Sequence, residues 1–140
     1  MANEIENARD GVKTLLENIA GLRVYDHEPE SVNELPAALI RFVSRGAALT
    51  LSGSTFAGTL TVTVLLSEAD RPQASEELGA YMDPLGTKSI EAQLDSDNTW
   101  GGNVDDGRLT KVGGVRDVEV AGGRFLAADL ECRFIKQVSS

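Results

Sequence analysis

The first part of the chain places its apolar residues at steps of three and four, which is the spacing of one helix face. Gly21 follows this stretch, and glycine commonly ends a helix because it adopts the left-handed conformation at little cost. The pattern therefore predicts an amphipathic first helix. Its apolar face carries Ile5, Ala8, Val12, Leu15, Leu16 and Ile19.

Further along, apolar and polar residues alternate with a period of two, which is typical of strands with one buried face. Residues 56–66 and 124–135 show this alternation most clearly. The first strand turns Leu60, Val62, Val64 and Leu66 inward and Thr59, Thr61 and Thr63 outward. The second turns Leu126, Ala128, Leu130, Cys132 and Phe134 inward and Ala127, Asp129, Glu131 and Arg133 outward. We expect the threonine face to meet water or a neighbouring subunit.

Shorter apolar runs predict three further strands. One of them is the hairpin partner of the strand at 56–66. Residues 22–25 and 38–43 have strand composition and lie on either side of a polar loop at 26–34. Residues 47–51 precede the turn-forming cluster Ser52-Gly53-Ser54-Thr55, so they are expected to form a long hairpin with residues 56–66.

Helix signals follow the hairpin. Asp70 and Pro72 are typical of a helix start, and the apolar stripe behind them predicts a second helix that ends before Pro84. The stripe consists of Ala74, Leu78, Tyr81 and Met82. Thr87 or Ser89 is expected to cap a third, short helix with Ile90 and Leu94 facing inward.

The last part of the chain is predicted to be turns and a strand pair. A glycine-rich stretch at 101–114 precedes a strand at 115–120, which pairs with residues 124–135 through Ala121-Gly122-Gly123. The elements together predict a single α+β domain over residues 1–140. Its mixed or antiparallel sheet contains a long β-hairpin and is flanked by two to three helices.

Acidic residues are concentrated in the middle of the chain. The net charge is −9, and residues 68–106 hold ten acidic and two basic side chains. Such a segment disfavours tight binding to nucleic acid, because that affinity depends on Lys and Arg neutralising phosphates. Two interpretations remain open: simple solvation, or a surface that docks a basic partner or lets DNA pass. The acidic N-terminus and short apolar runs predict neither a signal peptide nor a membrane span.

Candidate catalytic and zinc-binding residues are few. His27 is the single histidine and Cys132 the single cysteine, so one of them would have to serve any Cys/His or Ser/His dyad. We expect Cys132 on the core side of its strand and His27 in a surface loop. One histidine and one cysteine do not complete a typical zinc site. A lone cysteine forms no internal disulfide and fits assembly in a reducing cytoplasm.

Two ion-binding or phosphate-binding motifs fail on spacing. The run Asp95-x-Asp97-x-Thr99 begins like a calcium loop and reaches Asp106 at its last position, but Trp100 occupies the place of the required glycine. We therefore assign these acids to capping of turns and helix ends. The pair Gly53 and Gly58 imitates a phosphate loop without its lysine. Trp100 is expected to be a core residue or loop anchor, or a protein contact.

Several motifs, taken in order, resemble the tail terminator proteins of long-tailed bacteriophages. The segment at 83–95 reads Asp-Pro-Leu-Gly-Thr-Lys-Ser-Ile-Glu-Ala-Gln-Leu-Asp and runs into Thr99-Trp100-Gly101-Gly102. Leu-Pro-Ala-x-x-Ile-Arg at 35–41 and Leu-Leu-Ser at 65–67 precede it, and a strand pair closes the chain. The similarity covers nearly the whole chain in element order.

The resemblance implies a structural virion protein of the tail and neck, assembled in the host cytoplasm. Such proteins form a ring, hexameric in known relatives, on the head-proximal end of the tail tube. The ring stops tube polymerisation and joins the tail to the head connector, while genomic DNA passes through its lumen. No catalytic residue, metal or cofactor is implied, and no membrane. Our candidate interface residues are Asp95, Asp97, Trp100, Asp105 and Asp106.

Other function classes remain as alternatives. A head-completion or connector protein of the same phage has similar size and ring symmetry. A small hydrolase or ligand-binding α+β domain is disfavoured, because aromatic residues make up only 5% of the chain and ligand pockets are usually lined by them.

Overall fold

The computed structural model describes residues 4–46, 55–69 and 71–137. These residues form three helices and one five-stranded sheet. The elements in chain order are α1 (Glu4–Leu16), β1 (Arg23–Tyr25), β2 (Ala37–Arg45), β3 (Thr55–Ser67), α2 (Arg71–Met82), α3 (Ile90–Asp95), β4 (Asp106–Val120) and β5 (Gly123–Gln137). None of the described helices has the length and apolar character needed to cross a membrane.

The sheet is mixed, with strand order β1-β2-β3-β5-β4. β1 runs parallel to β2, whereas the pairs β2–β3, β3–β5 and β4–β5 are antiparallel. This confirms the predicted α+β class and the mixed sheet flanked by helices. The short β1 and the long β4 are the two edge strands of the described sheet.

All three helices contribute to the core on one face of the sheet. The inward residues of β3 and β5 pack there against α1, α2 and α3, and the predicted alternation of both strands is confirmed. The helix contacts to this core come from Ala8, Val12, Leu15, Leu16, Ala74, Leu78, Tyr81, Ile90 and Leu94. Burial of these apolar stripes removes their surface from water and stabilises the domain.

The other sheet face is covered at one end only. There Leu39, Leu65 and Phe125 form a smaller apolar cluster with partly buried Tyr25 and Val32. The remainder of this face carries the polar side chains of β2, β3, β5 and β4. It is the part of the described structure where the sheet itself meets solvent.

Several predicted boundaries differ from the structure. α1 ends at Leu16, and Ile19 reaches the core from the turn that follows, before Gly21 at φ +81°. β2 leaves the core at its end, since Val43 is 56% exposed. β3 pairs with β2 on one side and with β5 on the other. The predicted hairpin arm at 47–51 and the turn residues 52–54 lie outside the described residues.

The largest difference concerns β4. The glycine-rich stretch was expected to form turns as far as residue 114, but β4 begins at Asp106. The pairing of β4 with β5 shifts register twice, between Leu109 and Lys111 and between Val112 and Val115. The residues between these positions have no regular partner on β5. Because glycine accommodates such bulges without a side-chain clash, a glycine-rich sequence can still continue a strand.

Candidate functional site

The segment at 83–102 lies in the connection from α2 through α3 to β4. Asp83 follows α2, and its side chain accepts a hydrogen bond from the backbone N–H of Leu85 at 2.9 Å. The buried hydroxyl of Ser89 donates to the backbone carbonyl of Asp83 and accepts from the N–H of Ala92 at 3.0 Å, so Ser89 caps α3 as predicted. This small network ties the end of α2 to the start of α3.

Asp97 organises the turn that follows α3. Its carboxylate accepts hydrogen bonds from the Thr99 hydroxyl at 2.6 Å, the Thr99 N–H at 3.0 Å and the Gly101 N–H at 2.9 Å. These bonds, first the one from the Thr99 hydroxyl, lower the pKa of Asp97. The predicted turn-capping role is confirmed for Asp97, and its carboxylate is directed into its own loop.

Trp100 is fully buried and attaches this turn to the core. The centroid of its ring lies 5.7 Å from the centroid of the Phe134 ring. Its backbone carbonyl accepts a hydrogen bond from the Asn103 side chain at 2.8 Å. Its backbone has φ +48°, and Gly101 and Gly102 continue the turn at φ +72° and +85°. Trp100 therefore acts as a loop anchor. Its side chain presents no surface to a partner, which corrects its place among the candidate interface residues.

Two of the predicted interface carboxylates line one hollow beside α3. We call this hollow of about 460 Å³ the acidic hollow; it is lined by Glu91, Asp95, Asn98, Asp106, Gly107, Arg108 and Leu109. Arg108 pairs with Asp106 at 3.0 Å, and Asn98 donates to the same residue at 3.2 Å. Ion pairs within the described residues involve neither Glu91 nor Asp95.

Asp105 lies beside the acidic hollow without lining it. The exposed Asp105 accepts a hydrogen bond from the backbone N–H of Gln137 at 2.8 Å, which ties the turn to the end of β5. Across residues 4–46, 55–69 and 71–137, no three His, Cys, Asp or Glu side chains are grouped so that they could hold a metal ion.

The two candidate catalytic residues lie in unrelated places. Cys132 is completely buried in the core, and desolvation raises the pKa of its thiol to about 12. His27 is exposed in the loop after β1 and pairs with the neighbouring Asp26 at 2.9 Å. Both placements follow the sequence expectations, and the two side chains form no dyad.

We expect Cys132 to be inert toward thiol reagents in the folded protein. Its thiolate is the reactive form, and a pKa near 12 leaves almost none of it at neutral pH. Labelling with a chromogenic disulfide should give no signal over an hour in buffer and one thiol per chain in denaturant. Rapid labelling of the native protein would contradict the buried position.

A second charged surface lies on the open face of the sheet, and its cluster of charges was not predicted from the sequence. We call it the sheet groove; it has a volume of about 390 Å³ and is lined by Arg41, Phe42, Val43, Thr61, Thr63, Lys111, Gly113, Arg116, Asp129 and Glu131. β3 and β5 supply its floor, and the flanking strands β2 and β4 supply its two rims.

The floor of the sheet groove is held by Asp129. Its carboxylate accepts from the Thr63 hydroxyl at 2.7 Å and from Arg116 Nε at 2.6 Å. Partial burial alone would raise the pKa of Asp129, but the hydrogen bonds from Arg116 and Thr63 outweigh it, so the pKa is lowered. The buried Thr63 shows that the threonine face is not uniformly wet. Strand alternation predicted Asp129 on the outward face, where the structure has it, but its pairing with Arg116 depends on the shifted register of β4.

No protein-family model matches this chain, and the comparison with curated proteins also gives no match.

Proposed function

We propose that this protein is the tail terminator of a long-tailed bacteriophage. It forms a ring on the head-proximal end of the tail tube, stops tube polymerisation and joins the tail to the head connector. The proposal rests on the positions that the resembling motifs occupy in the fold. Asp83 and Ser89 join α2 to α3, and Trp100-Gly101-Gly102 attaches the following turn to the core. These motifs therefore lie at connections between secondary-structure elements and are not scattered over the surface.

The exposed edge of the sheet supports ring formation. β4 has 15 residues and pairs on one side with β5, while its other side meets no strand in the described part of the chain. Val112 and Val115 on this strand are each 40% exposed. A long edge with exposed apolar residues favours contact with another chain. When each copy contacts the next through two different surfaces, the copies form a closed ring if the rotation between neighbours brings the last copy back to the first.

The charge distribution suits a neck protein through which DNA passes. A lumen that is poor in Lys and Arg avoids the counterion-release affinity that would hold DNA in place. The acidic segment 68–106 provides such a surface, and acidic rims also guide basic partner surfaces into register. We therefore assign Asp95, Asp105 and Asp106 to a docking rim or to the lumen. We assign the protein no catalytic step and no cofactor.

Deletion of the gene tests this function. In the deletion phage, we expect filled heads beside unattached tails of uncontrolled length, because nothing stops the tube or connects it to the head. Electron microscopy of infected-cell lysates gives both measurements, and the same gene supplied from a plasmid is the control. Tails of normal length attached to heads in the deletion phage would refute the proposal.

A further inference from the structure

The rims of the sheet groove carry two cations that are not paired within the described residues. Arg41 lies on β2 at one rim, and Lys111 lies on β4 at the other. Both are exposed, and no ion pair between described residues includes either of them. Arg116 is paired with Asp129, and the charge of Arg41 also acts on Asp129 at a longer distance. We call Arg41 and Lys111 the groove cations.

The acidic hollow offers the matching charges. Its unpaired carboxylates, Glu91 and Asp95, project from α3, the helix that also buries Ile90 and Leu94 in the core. We call Glu91 and Asp95 the hollow carboxylates. The hollow therefore lies on the helix-covered side of the sheet, whereas the groove lies on the opposite side. One copy can present its groove to a neighbour while its own hollow faces another neighbour.

We infer that the groove cations of one copy bind the hollow carboxylates of the next copy. This inference rests on the proposed ring and specifies the contact that builds it. A contact between two different surfaces of the same chain is heterologous, and its repetition gives a closed ring or a filament. Charge pairs of this kind accelerate encounter and fix register more than they add affinity, so the charges select the correct neighbour.

Nucleic acid fits the groove less well than a second copy does. The floor between the two rims contains the carboxylates of Asp129 and Glu131, which repel a phosphate backbone. The net charge of −9 opposes a polyanion at long range, but it opposes a second copy of the chain as well, so it does not decide between the two. A partner that presents separate carboxylates to the rims avoids the repulsion from the floor, and α3 of another copy presents Glu91 and Asp95.

Self-association should therefore depend on salt. Charges near the surface are screened over about 8 Å at physiological ionic strength and over much longer distances in dilute buffer. We expect the apparent dissociation constant of the oligomer to rise at least about tenfold between about 20 and 300 mM salt. Sedimentation velocity measures this. Monomers at both salt concentrations and up to high micromolar protein would overturn the inferred contact.

Reciprocal charge reversal gives the sharper test. The groove variant carries Arg41→Glu with Lys111→Glu, and the hollow variant carries Glu91→Lys with Asp95→Lys. Each variant has two surfaces of like charge, so each alone should remain monomeric. An equimolar mixture should regain oligomers, because every contact in an alternating ring then joins opposite charges. Native mass spectrometry should show equal numbers of the two variants in each oligomer.

Matched controls change the net charge equally at a third surface. Lys13→Glu with Arg23→Glu matches the groove variant, and Glu17→Lys with Glu28→Lys matches the hollow variant. Both controls should associate like the wild type. If reversal unfolds either variant by circular dichroism, Arg41→Gln with Lys111→Gln and Glu91→Gln with Asp95→Gln replace them, and each should weaken association.

Three results would overturn the inference. One is rings that persist unchanged in both variants, which would leave ring formation intact but place its contact elsewhere. Another is a mixture that stays monomeric although both variants are folded. The third is an oligonucleotide that binds the wild type but not the groove variant in the absence of self-association. The gene-deletion phenotype is independent of all three, so failure of this contact is distinguishable from failure of the proposed function.

Discussion

Replacing Trp100 with alanine is expected to lower the free energy of unfolding by about 3–5 kcal/mol, the usual range for a buried aromatic side chain. Trp100 is completely buried and packs against Phe134. Its loss would leave a cavity at the point where the turn after α3 joins the core. Small domains are stable by only about 5–15 kcal/mol, so this change alone would remove a large part of the stability of the protein.

Urea unfolding followed by circular dichroism measures this loss, since the chain has a single tryptophan and the variant therefore lacks tryptophan fluorescence for comparison. Leu85→Ala is the control, because Leu85 is 77% exposed and its truncation should change the free energy of unfolding by less than about 0.5 kcal/mol. If Trp100→Ala were as stable as this control, Trp100 would not anchor the turn.

A pair of helical glycines gives the second large effect, with opposite signs expected at the two sites. A Cβ on Gly11 of α1 would meet the backbone carbonyl oxygen of Trp100 and would also lie 2.9 Å from the Trp100 Cβ. Because the nearest atom belongs to the backbone, α1 would have to move away from the turn. We expect Gly11→Ala to cost about 1–3 kcal/mol, as overpacking does elsewhere.

Gly79 of α2 is the matched control. A Cβ there meets nothing within 4 Å, so Gly79→Ala should stabilise the protein by about 0.5–1 kcal/mol through helix propensity alone. Thermal unfolding of the two variants measures the difference between them. Equal stabilisation by both substitutions would mean that α1 does not pack closely on the Trp100 turn.

The parts of the fold that could be predicted from the sequence are those fixed by local periodicity. The alternation in β3 and β5 identified the core-facing residues correctly, because a strand in the middle of a sheet buries every second side chain on the helix-covered face. The stripe of α2 and the Ser89 cap of α3 were also confirmed. In these elements, local preference and tertiary packing agree.

The parts that could not be predicted depend on pairing between distant residues. The glycines in β4 suggested turns, but hydrogen bonding to β5 extends the strand through two register shifts. The sheet groove was missed for the same reason, since it forms only when β2 and β4 are placed on either side of β3 and β5. A charged residue in a strand indicates an outward position but not its partner across the sheet.

The candidate interface residues lie in different places in the structure. Asp95 and Asp106 both line the acidic hollow, and the sequence did not predict that they would meet there. The structure directs Asp97 into its own turn and Trp100 into the core. A tryptophan beside two glycines has the same sequence whether it is exposed or buried. Only the packing of α1 and Phe134 decides between these outcomes.

The most direct test of the proposed function is an electron cryomicroscopy reconstruction of the head–tail junction of the virion. We predict a closed ring of copies of this chain, in contact with the last ring of the tail tube on one side and with the head connector on the other. Absence of the chain from the junction, or its presence there as an isolated copy with no contact to another copy of itself, would contradict the account.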